Sequence, residues 1–149
     1  MKSSLSTLCY IEKDGQYLML HRTVKKNDVN KDKWIGVGGH FEADESPEEC
    51  LLREVWEETG LTIESPILCG LYHWYKGAVH NVITLYKAEK FTGTLTSSEE
   101  GKVYWIPVEE LKSKELATGM EYVFKIMESE QIGECYMHLE ANGFVGDLY

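Results

Sequence analysis

The chain has 149 residues, 43% of them apolar and 11% aromatic, and its 25 acidic against 15 basic side chains give a formal charge of −10. That length and apolar content suit one domain with a sizeable core and argue against disorder, while the negative charge argues against binding a nucleic-acid polymer or an anionic membrane, both of which need a basic surface. The four cysteines (Cys9, Cys50, Cys69, Cys135) form no C-x-x-C pair, no 18-residue apolar run occurs, and the short apolar start broken by Glu12-Lys13-Asp14 is too little for a signal peptide, so a cytoplasmic protein with buried, reduced thiols is expected.

Residues 4–11 and 16–22 read as two strands of a hairpin around Lys13-Asp14-Gly15, with Arg22 at the end of the second. Residues 23–33 are polar, carry Asn27-Asp28 and lack periodicity, which predicts a loop bordering any pocket. Next comes Lys33-Trp34-Ile35-Gly36-Val37-Gly38-Gly39, a short apolar strand whose glycines permit close backbone approach. His40 follows directly.

Residues 39–61, GHFEADESPEECLLREVWEETGL, are dense in carboxylates and framed by helix-boundary signals. Ser46 suits the N-cap, Pro47 the first helical position, Glu49 the capping box and Gly60 a left-handed C-terminal residue, which predicts a helix over residues 47–59. At about 100° per residue, Leu51, Leu52, Val55 and Trp56 form an apolar face, and Glu54, Glu57 and Glu58 gather on the opposite one. Like charges so spaced repel by roughly 0.2–0.5 kcal/mol per exposed pair. The cluster is therefore either a solvated acidic face or a place for a cation. Mg²⁺ accepts such a site, because it prefers hard oxygen ligands and keeps several waters. Arg53, four residues from both Glu49 and Glu57, is placed to orient a carboxylate through a charge-assisted hydrogen bond.

After this helix, residues 62–66 read as a connection, and residues 67–75 and 78–91 as paired strands around Lys76-Gly77. Tyr72, Trp74, Tyr75 and Tyr86 either pack within the sheet or offer a face to a planar ligand. Residues 92–101 form a polar loop with Glu99 and Glu100, followed by a strand over 102–106 and a short helix over 107–112. The periodicity then predicts a helix over 120–130 with Tyr122, Val123, Ile126 and Met127 inward, and a final hairpin, 134–139 with 144–148, around Asn142-Gly143. The fold class is α+β.

Read outward from the central helix, the chain shows Gly39, five residues, Glu45, seven residues, then Arg53-Glu54-Val55-Trp56-Glu57-Glu58-Thr59-Gly60-Leu61. This resembles the Nudix box at every defined position. Fixed residues at ordinary usage make a chance match rarer than about one in 10⁸ per start position. The resemblance implies the Nudix fold, a mixed β-sheet sandwiched between α-helices, in a single domain. It also implies hydrolysis of a nucleoside diphosphate linked to another group, by water activated with Mg²⁺ or Mn²⁺. The matching positions give Glu54, Glu57 and Glu58 as metal ligands, the Gly39 carbonyl as a further ligand, and Arg53 as the brace of Glu45. Glu100 either reaches the metal or is solvated. Arg22 either meets a phosphate or is a solvated strand-end arginine, and His40 either touches a phosphate or faces solvent.

The W-x-G-x-G-G entry and the hairpin start resemble the MutT branch, which implies conversion of a nucleoside triphosphate to the monophosphate and pyrophosphate. In relatives that clear oxidised purine nucleotides such as 8-oxo-dGTP, an asparagine near the box entry and an acidic residue before the late helix read the base. Here those places hold Ile35 and, as the remaining acidic candidate, Glu121. A proline or tyrosine that would mark ADP-ribose or dinucleoside polyphosphate hydrolases is missing from residues 76–79. An ADP-ribose or nucleotide-sugar pyrophosphatase stays open as an alternative, as does a noncatalytic nucleotide-sensing or interaction module. The expected partner is a small nucleotide, with monomer and homodimer both open.

Overall fold

Asp14 and Gly15 both take positive φ, 52° and 74°, and turn the chain back after its first strand. Two positive-φ residues in a row match the right-handed twist of the strands they join. The hairpin is β1 (Lys2–Lys13) and β2 (Gln16–Arg22). In the computed structural model, which describes residues 2–23, 32–99 and 101–149, the chain continues through β3 (Trp34–Ile35), β4 (Val37–His40), α1 (Pro47–Thr59), β5 (Leu61–Glu64), β6 (Ile67–Lys76) and β7 (Val79–Ala88). It ends with β8 (Lys90–Gly93), β9 (Gly101–Pro107), α2 (Met120–Glu128), β10 (Glu134–Glu140) and β11 (Gly143–Leu148).

β1 holds the sheet together because it pairs on both sides along its length. It runs parallel to β7 from Lys2↔Val79 to Ile11↔Ala88, while Ser6–Cys9 face β4 antiparallel and Glu12–Lys13 face β2. The strand order is β11-β10-β6-β7-β1-β2-β3, with β4 also on β1 and β9 also on β2, and β5 with β8 forms a separate ribbon. Parallel and antiparallel pairs coexist, as a mixed sheet requires.

Alternation along β1 and β2 divides the interior in two. Cys9, Ile11, Leu18 and Leu20 face one way and pack with Leu51 and Val55 of α1. Leu8, Tyr10, Tyr17 and Met19 face the other way and pack with Met120, Val123 and Ile126 of α2. A fully buried aliphatic side chain contributes about 1.5–3 kcal/mol, so Leu51 and Val55, both at 0% exposure, fasten α1 to the sheet.

The structure corrects several expectations. On α1, Leu51 and Val55 are inward, but Leu52 is 36% and Trp56 61% exposed, while Glu58 is buried at 3%. The helix is rolled toward its carboxylates because Glu58 reaches into the fold to meet the backbone of β4, and this roll turns Trp56 to solvent. Residues 62–66 are not mere connection, since β5 occupies most of them and pairs with β8 from Leu61↔Gly93 to Glu64↔Lys90. The single strand expected over 78–91 is divided at Glu89, with β7 in the large sheet and β8 in the ribbon. α2 stops at Glu128, and Tyr122 is only half-buried while Met120 joins the core. The short helix after β9 is a 3₁₀ segment, Val108–Ser113.

Candidate active site

The box helix begins as its sequence dictates. The Ser46 hydroxyl accepts from the Glu49 N–H at 3.1 Å and the Glu49 carboxylate accepts from the Ser46 N–H at 2.9 Å, while Gly60 closes the helix at φ 77°. Both halves of the capping box are present. This fixes the register that aims Arg53, Glu54, Glu57 and Glu58.

β4 supplies the opposing surface. Its Gly39 lets the Glu54 carboxyl come close: a Cβ there would lie 2.5 Å from the Glu54 carboxyl carbon, so a side chain at this position would push Glu54 aside. At neighbouring Gly38, a Cβ would collide with the Thr7 carbonyl of β1. The two glycines thus let the β4 backbone lie directly against both the sheet and the acidic side of α1. The Gly38 N–H donates to Glu58 Oε1 at 3.3 Å. The Gly39 carbonyl, expected as a ligand, accepts from the buried Cys50 thiol at 3.6 Å. Burial is the main cause that pushes that thiol up to about 12, so it remains protonated near neutral pH.

Arg53 joins the cluster. Its Nε and Nη2 donate to the two Glu45 oxygens at 2.6 and 2.9 Å, Nη1 donates to Glu54 at 2.9 Å and to Glu57 at 3.2 Å, and Nη2 also donates to the His40 carbonyl at 3.0 Å. The bidentate pair holds the Glu45 carboxyl at about 2, well below the usual carboxylate range, with help from the Glu42 N–H. The same contacts hold the guanidinium charge more firmly still. Arg53 braces Glu45, as the box resemblance implies.

Glu54, Glu57 and Glu58 open onto a hollow of about 550 Å³ completed by Ser97, Ser98 and Glu99. The loop bearing those residues is tied to the end of α1 by the Thr96 N–H, which donates to the Thr59 carbonyl at 2.8 Å. Sequence reasoning chose Glu100 from this loop; Glu100 lies outside the described residues, as do residues 24–31 of the expected pocket-side loop. Glu99, its neighbour, lines the hollow. The serines carried no signal, since nothing in a polar loop announces which hydroxyls face a helix end.

Every side chain that α1 contributes to this hollow is a carboxylate, the donor chemistry of a hard divalent cation. Among the described residues, no three His, Cys, Asp or Glu side chains are already drawn together around one point. Glu54 and Glu57 lean instead on the same Arg53 nitrogen, so holding a cation calls for them to swing from the guanidinium toward the hollow. Glu54 is 16% and Glu57 49% exposed at the side chain, which leaves Glu57 freer to do so. The residues fit such an ion.

A second cleft, about 400 Å³, lies on the α2 side of the sheet, lined by Leu8, Ile35, Trp74 and Met120 among others. Ile35 and Gly39 are four residues apart on one extended run. At most about 14 Å of chain therefore separates the apolar cleft from the carboxylates. Of the other expected site residues, Arg22 is half-buried at the end of β2 opposite Gly101, and the His40 side chain and Glu121 are exposed. None of these three is among the residues lining the cleft or the acidic hollow. Of the four aromatic candidates, Tyr72, Trp74 and Tyr75 line the cleft, and buried Tyr86 belongs to the α1-side core.

Comparison with known proteins gives the family and agrees with the fold. Residues 3–125 match the NUDIX domain family. An uncharacterised Nudix hydrolase, YvcI of Bacillus subtilis, is 29% identical over 127 residues, 81% of this chain and 77% of that protein. A MutT-like protein of Streptomyces ambofaciens is 33% identical over 70% of this chain but only 63% of its own length. The crystal structure of a mutator MutT protein from Bacillus halodurans superposes with a TM-score of 0.79 at 26% identity, covering 97% of each chain.

Proposed function

The chain belongs to the Nudix hydrolase family, and from that premise we propose that it hydrolyses a nucleoside triphosphate to the monophosphate and pyrophosphate with a divalent cation, Mg²⁺ or Mn²⁺. The observation that carries this reading is that one chain offers both a hollow walled by the carboxylates of α1 and a mainly apolar cleft, with Ile35 of the cleft only four residues from Gly39, whose backbone lies against Glu54. A nucleotide has the same two halves, a charged phosphate chain and a flat, weakly polar ring. Family members generally use divalent ions and act on small nucleotides, which supports the reading further.

Glu54, Glu57 and Glu58 would hold the ion, and Gly39 keeps the space Glu54 needs. Such an ion neutralises phosphate charge and makes a nearby water more acidic. Arg53 keeps Glu45, Glu54 and Glu57 in one electrostatic unit, so that carboxylates which would otherwise repel stay near the hollow. Glu99, on the opposite loop, lines the hollow and would complete the set, and Glu100 is proposed for the same role on the resemblance alone. Ile35 and the aromatic residues of the cleft would contact the base through apolar surface.

The deciding experiment incubates the purified protein with each of the common ribo- and deoxyribonucleoside triphosphates, ADP-ribose and a nucleotide sugar in Mg²⁺, and separates the products by ion-exchange chromatography. Monophosphate and pyrophosphate from a triphosphate are expected. Turnover confined to ADP-ribose or the nucleotide sugar would overturn the assignment of substrate.

A further inference from the structure

The family match ends at residue 125, whereas the β10–β11 hairpin begins at Glu134. This hairpin nevertheless builds one side of the apolar cleft. β10 runs parallel to β6 with Cys135 opposite Tyr72 and Met137 opposite Trp74, and β11 returns antiparallel with Phe144 opposite Leu139. Met137 and Phe144 both line the cleft, beside Trp74.

The hairpin is seated firmly. A Cβ on Gly146 would lie 2.7 Å from the Tyr122 ring and 2.9 Å from Cys135 Sγ, so β11 sits against α2 with no room between. At its base, the Gly133 N–H donates to the Tyr149 carbonyl at 2.8 Å and the Tyr149 N–H to the Glu134 carbonyl at 2.9 Å. Phe144, two residues before Gly146, projects to the same side of the sheet and comes out over the cleft. Met137 is buried at 4%, but Phe144 keeps 53% of its surface exposed. A large ring left in water at the wall of an apolar cleft, on a rigid support, is a surface made to be covered.

We propose that Phe144 is a substrate-binding residue whose ring stacks on the planar ring of the substrate, so that the C-terminal hairpin governs how tightly the nucleotide is held. This rests on the nucleotide reading of the site. It differs in what it requires, because stacking acts on binding and needs neither hydrolysis nor a metal. A flat partner gains from a flat ring beyond the area it covers.

The test is titration of the metal-free protein, through tryptophan fluorescence, with the four deoxynucleoside monophosphates and with inorganic phosphate as a ring-free control. Phe144→Ala is expected to weaken each monophosphate by roughly tenfold and to leave phosphate unaffected. Phe144→Trp should restore binding, whereas Phe144→Leu, which keeps apolar bulk without a flat ring, should not. Phe144→Leu also guards against loss of folding in the alanine variant, and thermal melting of each variant verifies this. Equal binding by wild type and Phe144→Leu would overturn the proposal, as would wild-type protein that binds no monophosphate saturably. Absence of hydrolysis alongside ring-dependent binding would sink the catalytic reading and leave this one standing.

Discussion

Arg53 grips Glu45 through two nearly parallel hydrogen bonds, Nε to Oε2 at 2.6 Å and Nη2 to Oε1 at 2.9 Å, leaving Nη1 for Glu54 and Glu57. An ammonium group lacks that planar fork. Arg53→Lys should therefore keep the charge and lose the arrangement, lowering kcat/KM by about 10- to 100-fold, the usual effect of removing a ligand's support. The pair should also show in the pH dependence of stability. The Glu45 carboxyl ionises near 4.5 ordinarily and at about 2 in the fold, so its stabilising contribution is complete above the unfolded value and is lost as pH falls toward the folded one. The melting-temperature gap between wild type and Glu45→Gln should be constant above about pH 5 and close progressively toward about pH 2. A gap that persists unchanged in acid would show that Glu45 acts through packing.

Glu57 and Glu58 are adjacent in sequence and opposite in surroundings. Glu57 is half exposed and meets Arg53 at 3.2 Å, a contact of about 0.3–0.5 kcal/mol, so Glu57→Gln should leave stability within about 0.5 kcal/mol while reducing kcat at least about 100-fold if it holds the ion. Glu58 is buried and accepts from the Gly38 N–H. Glu58→Ala leaves that donor without its carboxylate partner and should cost about 1–3 kcal/mol. Urea unfolding of the two variants, with kcat at saturating Mg²⁺, separates these effects. Near-normal turnover by Glu57→Gln would remove it from the metal set.

How much of this was legible in sequence depended on whether the signal was local. Ser46, Pro47, Glu49 and Gly60 act within a turn of the chain, and the helix bounds follow from them alone. The direction in which that helix faces is a tertiary property. Periodicity put Trp56 inside, but the backbone donor at Gly38, on a different strand, draws Glu58 inward and turns Trp56 out. β5 and β8 escaped for the same reason: each is short and stabilised by pairing across many intervening residues, which no local pattern announces. The carboxylate cluster was visible as spacing, whereas the contributions of Ser97, Ser98 and Phe144 depend on how a loop and a terminal hairpin come back to the site.

Gly39→Ala tests the close approach of β4. The added methyl would fall 2.5 Å from the Glu54 carboxyl carbon, and Glu54, being a flexible side chain, can move away. The fold should survive, with a melting temperature within a few degrees of wild type, while displacement of a site carboxylate by about 1 Å lowers kcat by up to about 100-fold. Full activity in a folded Gly39→Ala protein would show that turnover does not need the space that Gly39 leaves beside Glu54.

Chelation separates catalytic from structural metal. The fold has two apolar cores and a complete capping box to hold it. Exhaustive treatment with EDTA should abolish hydrolysis and leave the circular dichroism spectrum unchanged, with activity restored by Mg²⁺ or Mn²⁺ and poorly by Zn²⁺, since the carboxylates of α1 offer no nitrogen or sulfur. Unfolding on chelation would point instead to a structural ion.

On the proposed reading, selectivity for the base follows from what lines the cleft. A site that hydrogen-bonds its substrate rejects analogues lacking the partner by a large factor, because its own buried polar groups are left unpaired, whereas an apolar pocket discriminates only about 10- to 200-fold. Ile35, which the box resemblance alone puts at the place of a base-reading asparagine, lines the cleft and offers no side-chain hydrogen bond. Glu121, the remaining acidic candidate, is exposed and is not among the lining residues. Leu8, Trp74, Met137 and Phe144 add apolar and aromatic surface, and the polar side chains Lys76 and Thr118 on the cleft wall are both exposed, so neither is a buried group that the wrong base would leave unpaired, and the cleft should hold an oxidised and an ordinary purine about equally well. Comparison of kcat/KM for 8-oxo-dGTP and dGTP should therefore give a ratio within the range expected of an apolar pocket. A preference for the oxidised nucleotide well above about a thousandfold would exceed that range and require a polar group that reads the base, with Thr118→Val on the cleft wall and Glu121→Gln as the first variants to examine.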